Sequence, residues 1–489
     1  MKLFLRAFIF VLILSSCSKE EKETSKASEK FATELVELKE YFQIPGLAVS
    51  LVKDGEVVSE DYLGFSDYEN KISLDSTHQF PIASLTKVFS GVLIMKLVEE
   101  EKLSLNTPVK KYFPDSKIDP HVLIKHILSH TSQGEIGKHF YYSSRFGALT
   151  KIIEEASGKS FKVYMEEVIF QPLQLKNTFL LKDSTQVTSK MAKPYALEDG
   201  IQKGFVDHGY STSAGIVSNL HDLQVFNQAL DQNTLISEKS KNLMFSSENG
   251  LPYGYGIFNQ EIEGVKVVWA YGQYDCYSSL FLKVPSQNIT LTVLANNNLM
   301  SDPARLIYGD VTSSLFAMSF LKNYVFEFDQ MDLFETKEAL EFTSENTEFY
   351  KRKLLAQALS ESFMSRFDTE KIQMSESLLK AVFSEHSDYL EYADMNLLHN
   401  LTFLKDVAFY RDLDEFTSFD EHIEKIGSKL LKEDSENPYV NMYLGTFYDR
   451  KGNSEKAKYY FDQILNAKNF SRNWYTTEAE SWLKNFNRR

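Results

Sequence analysis

The spacing of hydrophobic residues changes along the chain and divides it into segments with different predicted structure. Apolar positions three and four apart from Phe31 to Phe42 predict an amphipathic helix. A short continuous apolar run follows at 47–52, then the Asp54-Gly55 turn and a second apolar run. This arrangement predicts a β-hairpin directly after the helix.

Helical spacing then prevails from about Leu85 to Leu235. Strand-like runs return at 265–269, 279–284 and 289–295, and a helix is predicted at 303–321. Strands at both ends with helices between them predict an α+β fold. We expect one antiparallel sheet flanked by helices, together with an all-helical subdomain.

Beyond residue 323 the chain becomes rich in Glu, Lys, Leu, Phe and Tyr, and the helical period continues to the end. We therefore predict an all-α C-terminal domain at 331–489. Five residues occupy positions typical of a tetratricopeptide repeat: Leu444, Gly445, Tyr448, Ala457 and Phe461. A repeat array could recruit a protein partner, whereas a plain helical bundle would have no binding role.

The N-terminus has the features of a targeting segment. Residues 1–16 combine basic residues with a short apolar run, which predicts a signal peptide. The small residues before Cys17 resemble a bacterial lipobox and predict lipidation of Cys17, with 17–30 as a flexible tether. We expect a bacterial cell-envelope protein anchored to the membrane by lipid, and an ordinary signal peptide is the alternative.

Charge and motif content exclude several classes of function. The 489 residues carry a formal net charge of −15, so the chain offers no broad positive field for nucleic acid. Zinc-ligand spacing and phosphate-binding glycine loops are missing from the sequence. We therefore expect no metal, no cofactor and no nucleic-acid partner.

A Ser-x-x-Lys sequence at Ser84 and Lys87 is the main candidate for chemistry. On a helix, residues three apart lie on one face, so the amine can reach the hydroxyl. A lysine in a partly apolar site has a lowered pKa and can accept a proton from serine. The spacing alone is weak evidence, since it also occurs at Ser50, Ser319, Ser377 and Ser481, among others.

The residues around Ser84 separate it from the others. The stretch 80–87, FPIASLTK, is followed in order by ILSHTS at 127–132, ASGKSF at 156–161, SAGIVS at 213–218 and YGYG at 253–256. This series closely resembles the serine beta-lactamase and penicillin-binding-protein-like family, in its class C and esterase branch. The resemblance covers roughly residues 35–320 and implies a hydrolase domain at 31–325 with Ser84 as nucleophile and Lys87 as its activator.

The family has a second motif, Tyr-x-Asn, whose Tyr relays protons with the Lys. Counting back from Ala156 places this Tyr at Tyr141, with Ser143 in place of the Asn and predicted to contact substrate. A Phe-x-Tyr pattern that relatives show would instead select Tyr142, preceded by Phe140. We prefer Tyr141 because helix length constrains the register, and leave Tyr142 as the alternative.

The third motif, Lys-Thr-Gly or His-x-Gly, aligns with Ala270, Tyr271 and Gly272. The resemblance implies that Tyr271 and Gly272 line the substrate. It also implies an oxyanion hole formed by the backbone N–H groups of Ser84 and Gln273. Ala270 provides no cation, which weakens the case for substrates that carry a carboxylate, such as D-alanyl peptides and beta-lactams.

The resemblance implies a membrane-anchored serine hydrolase that cleaves a small-molecule or peptide ester or amide. The segment between Ser132 and Tyr141 is short for the family, which predicts an open cleft. The alternative is a catalytically silent, penicillin-binding-like lipoprotein that binds or scaffolds through its helical C-terminal domain.

Overall fold

A computed structural model describes residues 26–247, 249–328, 330–336, 348–385, 389–392, 394–411 and 419–486. The signal peptide and Cys17 lie outside the described residues. Residues 26–30, predicted as part of the tether, instead begin a helix that extends to residue 41. Buried apolar residues from Phe31 to Phe42 pack this helix on the sheet, so the helix starts earlier than the tether prediction allowed.

The strands are β1 Gly46–Lys53, β2 Glu56–Asp67, β3 Ile72–Ser73, β4 Phe80–Pro81, β5 Phe179–Leu180, β6 Tyr195–Glu198, β7 Gly200–Lys203, β8 Ile216–Ser218, β9 Phe258–Ile262, β10 Val265–Tyr274, β11 Tyr277–Val284 and β12 Ile289–Ala295. The helices of the first part of the chain are α1 26–41, α2 Thr86–Glu99, α3 Ile124–Leu128, α4 Leu149–Ser157, α5 Phe161–Met165, α6 Leu220–Asp231, α7 Glu238–Met244 and α8 Leu315–Phe320. Those of the C-terminal part are α9 Glu348–Met364, α10 Lys371–Glu385, α11 Met395–Tyr410, α12 Asp420–Glu433, α13 Pro438–Arg450, α14 Ser454–Asn466 and α15 Trp474–Phe486.

A seven-stranded sheet organises the first part of the chain, in the order β3-β2-β1-β12-β11-β10-β9. Its paired strands are antiparallel, and β1 from the N-terminal hairpin pairs with β12. Alternation sends Leu47 and Val49 to the face covered by α1 and α8, and Ala48 to the face covered by α2. The α+β architecture predicted from the sequence is confirmed.

Two predicted helical stretches are wrong in detail. The segment 85–235 contains short strands as well as helices, and β8 pairs with both β4 and β5. The helix predicted at 303–321 is largely turns until α8 begins at Leu315. Strands of two or three residues are too short to show a period, so apolar spacing does not detect them.

The C-terminal part is helical, as predicted, and has its own apolar core. Helices α13 and α14 pack together at Gly445, where an added Cβ would lie 2.9 Å from the Phe461 ring. This close contact explains why a glycine stands in the middle of a helix. The assignment to tetratricopeptide repeats stays a prediction.

None of the described helices is long and apolar enough to cross a membrane. Within the described ranges, His, Cys, Asp and Glu side chains form no group of three or more that could hold a metal ion.

Candidate active site

Ser84 lies in a short 3₁₀-helix, Ala83–Leu85, between strand β4 and helix α2. The backbone of Ala83 has φ 46°, in the left-handed region. An L-residue pays about 1–2 kcal/mol for this conformation, so the turn before Ser84 is held by its surroundings. One such contact is the bond from the Ile82 N–H to the Ile216 carbonyl, 2.9 Å. Ser84 is partly exposed and lies at a helix start, where N–H groups lack acceptors within the helix.

Lys87 lies one turn further along and contacts the candidate nucleophile directly. Its Nζ donates to the Ser84 hydroxyl at 2.9 Å and to the Ser213 carbonyl at 3.1 Å. The side chain is buried, and burial lowers the pKa of Lys87 to about 7. A substantial fraction of the amine is therefore neutral at neutral pH and able to take the serine proton.

Ser319 shows how differently the same spacing is used elsewhere. The Ser319 hydroxyl donates to Glu34 at 2.6 Å, and Lys322 forms an ion pair with the same carboxylate. Both side chains are buried against α1 and fully engaged by Glu34. This pair joins α1 to α8 and the helical turn after it, and its serine is buried and cannot meet a substrate.

Tyr142, and not Tyr141, accompanies Ser84 and Lys87. Lys87 Nζ lies 4.8 Å from the Tyr142 ring centroid, and the Ser84 side chain is near enough to Tyr142 to lower the pKa of its hydroxyl. Burial raises the pKa of Tyr142, and the contact with Ser84 partly offsets this effect. The expected position of Tyr141 at the nucleophile is thus corrected in favour of the alternative, Tyr142.

Tyr141 points into the C-terminal helical domain. Its hydroxyl donates to Asp434, and its ring makes an edge contact with Phe470 at 4.9 Å between centroids. Burial and the Asp434 carboxylate raise the pKa of Tyr141. Two adjacent tyrosines in extended backbone point in opposite directions, which is why only one of them can reach Ser84.

Ser143 and His130 fix the position of the chain around Tyr142 through a hydrogen bond and a ring contact. The Ser143 hydroxyl accepts from the Arg145 N–H at 3.1 Å, while its own N–H donates to His130 Nδ1 at 2.9 Å. The His130 ring stacks on Tyr142 with centroids 4.4 Å apart. Burial lowers the pKa of His130, so the ring is neutral and acts as a platform for Tyr142. Ser143 therefore caps its own turn, and its predicted contact with substrate stays a prediction.

Gly272 lies against the turn that holds Ser84. A Cβ there would be 1.9 Å from the Ile82 carbonyl oxygen, so no other residue fits without moving the turn. Ala270 is buried on the same face, whereas Tyr271 is buried beside Tyr142 at 6.0 Å between centroids. Residues 270–274, the part of this strand beside the Ser84 turn, carry no cationic side chain that could replace the cation missing at position 270.

The backbone of Gln273 lies on an unpaired edge. Strand β9 pairs with β10 only from Val265 to Trp269, which leaves 270–274 with β11 on one side alone. Tyr274 and Tyr277 close a two-residue turn, and alternation then directs the Gln273 N–H away from β11. This orientation is the one that an oxyanion-hole donor at this position requires.

The C-terminal domain contacts the rim of the site. Asn469 Nδ2 donates to the carbonyls of Ser132 and Gly134, at 3.2 and 3.1 Å. Arg145 donates to the Asn469 carbonyl at 3.0 Å and to the Ser471 hydroxyl at 2.8 Å. The helical domain therefore contacts the short segment that begins at Ser132, and the prediction of an open cleft at Ser84 stays a prediction. The sequence analysis did not identify Asn469, Ser471 or Arg145 as contacts between the two parts of the chain, because no local pattern marks them.

The match to a known protein family covers the first part of the chain and ends before the C-terminal helices. Residues 32–310 match the Beta-lactamase family. The chain is 27% identical over 302 residues to "Protein flp" of Staphylococcus aureus strain MW2, covering 52% of this chain and 60% of that protein. It is 26% identical over 270 residues to "Putative penicillin-binding protein PbpX" of Bacillus subtilis strain 168, covering 49% of this chain and 68% of that protein. The structure of an octameric penicillin-binding protein homologue from Pyrococcus abyssi aligns with TM-score 0.54 and 24% identity, over 57% of this chain and 76% of that one.

Proposed function

Because the chain belongs to the Beta-lactamase family, we propose that it is a serine hydrolase that cleaves an ester or amide through an acyl-serine intermediate. The observation that carries the proposal is the contact between Lys87 Nζ and the Ser84 hydroxyl at 2.9 Å, with the pKa of Lys87 lowered to about 7. A base that is neutral near the working pH can remove the serine proton efficiently.

In the acylation step, neutral Lys87 takes the proton of Ser84 while Oγ bonds to the substrate carbonyl carbon. The oxyanion that forms accepts hydrogen bonds from the N–H groups of Ser84 and Gln273. The bond to the leaving alcohol or amine then breaks, and the leaving group receives the proton from Lys87 by way of the Tyr142 hydroxyl. Acyl-Ser84 and a neutral Lys87 remain.

In the deacylation step, water attacks the acyl carbon and gives its proton to Lys87 through Tyr142. The bond to Ser84 Oγ breaks, the acid leaves, and the proton returns to Oγ. The Lys87–Ser84 hydrogen bond supports the first proton transfer, and the position of Tyr142 beside Ser84 and Lys87 supports its part in the later transfers.

Uncharged esters and amides of small acids are the substrate class that this site favours, with peptidoglycan peptides next. Ala270 gives the strand beside Ser84 no cation for a substrate carboxylate. For the same reason a true beta-lactamase is less favoured than an esterase or peptidase. We further propose that lipidated Cys17 anchors the enzyme in the bacterial cell envelope.

An active-site-directed fluorophosphonate tests the assignment of the nucleophile. We expect stoichiometric labelling of the native protein, and peptide mass spectrometry should place the label on Ser84. Heat-denatured protein is the control and should remain unlabelled, because the phosphonylation depends on the folded Lys87–Ser84 pair. Label on another residue would contradict the assignment, and no reaction with the probe or any ester would favour the silent alternative.

The pH dependence of ester hydrolysis follows from the state of Lys87. We expect kcat/KM for a nitrophenyl ester to rise with pH through about 7 and then level off, because only the neutral amine accepts a proton. Buried His130 has a lowered pKa and stays neutral over this range, so it does not add a second step. Initial rates corrected for spontaneous hydrolysis give the profile, and a midpoint near the ordinary lysine value of 10.5 would contradict the proposal.

A further inference from the structure

The hydrolase and helical domains enclose a cavity of about 520 Å³. Arg305 and Tyr308, which follow strand β12, line one side. Helices α11, α13 and α15 line the other side, through residues that include His399, Tyr439, Tyr443 and Trp474. The cavity is distinct from the Ser84 site, since neither Ser84 nor Lys87 is among its lining residues.

Aromatic rings form the walls of this interdomain cavity. The Tyr308 and Tyr439 rings meet edge to face at 5.4 Å, and Tyr439 lies 6.3 Å from Trp474. Trp474 is 46% exposed, so the cavity is open to solvent on that side. Such walls suit a ligand with an aromatic or aliphatic body.

Arg305 lines this cavity and has more N–H donors than it uses in hydrogen bonds with the described residues. Its Nε donates to His399 Nε2 at 3.0 Å, and its Nη1 donates to Asp302 at 3.0 Å. A guanidinium has five N–H donors, and the others find no acceptor among the described residues. Their geometry matches that of a carboxylate, which can accept two parallel hydrogen bonds.

His399 holds the Arg305 guanidinium in place. Its Nε2 accepts from Arg305 Nε, so the ring is neutral and its proton is on Nδ1. The side chain is only 6% exposed, and burial together with the Arg305 charge lowers its pKa. Because Nδ1 is buried away from the cavity, His399 acts on a ligand only by orienting Arg305.

The hydroxyls of Tyr308 and Tyr443 bond to each other. One hydrogen is used in that bond, so the pair retains a second O–H for an acceptor. The acidic residues of the lining do not fill this role, because Asp406 is paired with Arg450 at 3.0 Å and Glu478 is exposed. The cavity thus combines apolar walls with an excess of donors.

We propose that this cavity binds an organic carboxylate with an aromatic or aliphatic body, held by Arg305. The site is joined to the candidate oxyanion hole, since Asp302 accepts from both Arg305 and Gln273 Nε2, the latter at 3.0 Å. The carboxylate could be the far end of a substrate or a separate effector, and the two sources share this chemistry.

Calorimetric titration of the full chain with 3-phenylpropionate tests the proposal, with 3-phenylpropionamide as the neutral counterpart. We expect saturable binding of the carboxylate and at least about tenfold weaker binding of the amide, because the amide lacks the charge that Arg305 recognises. Equal affinity for both compounds, or no carboxylate binding up to about 10 mM, would overturn it. Binding needs no turnover, so this result stands apart from the hydrolase assignment.

Substitutions in and near the cavity identify the residue that binds the carboxylate. Arg305→Met should weaken 3-phenylpropionate binding by at least about tenfold, whereas Arg366→Met removes a neighbouring guanidinium outside the cavity lining and should leave it unchanged. Trp474→Ala changes an exposed wall residue with little risk to folding and should also weaken binding. Wild-type affinity in both Arg305→Met and Trp474→Ala would refute the site.

Labelling Ser84 with a long-chain fluorophosphonate tests whether the bound carboxylate is the far end of a substrate or a separate effector. Loss of 3-phenylpropionate binding in labelled protein assigns the cavity to the far end of the substrate. Retained binding assigns it to an effector that acts through Asp302 and Gln273. Either result keeps the carboxylate site and fixes its relation to the nucleophile.

Discussion

Replacing Lys87 with Met is expected to lower kcat for ester hydrolysis about 10³-fold, with little change in KM. The methionine side chain fills similar space but cannot accept the proton of Ser84. Steady-state kinetics with a nitrophenyl ester measure the effect, and Ser84→Ala provides the floor of the assay. Thermal unfolding should show an equal or higher Tm, because the variant no longer buries an amine.

Lys96→Met is the matched control, since Lys96 lies near the end of the same helix α2 and makes no contact with Ser84. Its kinetics should equal those of the unmodified protein. Wild-type turnover in Lys87→Met would show that another group activates Ser84, and would remove the observation on which the hydrolase proposal rests.

The second large expected effect distinguishes a catalytic role of Tyr142 from a structural role of Tyr141. Tyr142→Phe should reduce kcat by about 10²-fold because the proton relay between Lys87 and the leaving group or water loses its hydroxyl, while the free energy of unfolding changes little. Tyr141→Phe should retain most activity but lower the free energy of unfolding by about 1–3 kcal/mol, because the partly buried Asp434 carboxylate loses a donor.

Measuring kcat and denaturant unfolding on both variants gives two opposite patterns, so each variant is the control for the other. If Tyr141→Phe removed activity and Tyr142→Phe removed stability, the roles assigned from the structure would have to be exchanged. If neither variant lost activity, the tyrosine relay would be excluded and Lys87 alone would move the protons.

The error over Tyr141 has a physical cause. Counting back from Ala156 assumed one continuous α-helix, but a 3₁₀-helix at Ser144–Ala148 precedes α4. A 3₁₀-helix rises about 2.0 Å per residue instead of 1.5 Å and turns each residue further. In extended backbone an error of one residue reverses the direction of the side chain, and the choice between Tyr141 and Tyr142 depended on that residue.

Local patterns predicted strands β1, β2, β10, β11 and β12 of the sheet, because a strand period is set by near neighbours, but they did not predict β3 or β9. The Ser84–Lys87 pair was singled out by the ordered motifs around it and not by its spacing. Gly272 was also predictable, since close approach of two backbones needs a residue without a Cβ. Contacts such as Asn469 with Ser132 join residues far apart in the chain. No sequence period records such a contact, so the contact of the helical domain with the segment at Ser132 and the Arg305 cavity were invisible before the structure.

The divergence of Tyr141 and Tyr142 ties the proposed catalytic site to the integrity of the helical domain. One tyrosine is fixed in the core of the helical domain, and the next one in the chain stands beside Ser84. Partial melting of the helices would release Tyr141 and with it the position of Tyr142, although the sheet would still be folded. We therefore expect heat or denaturant to abolish the proposed hydrolase activity in a sub-global opening, before the seven-stranded sheet unfolds.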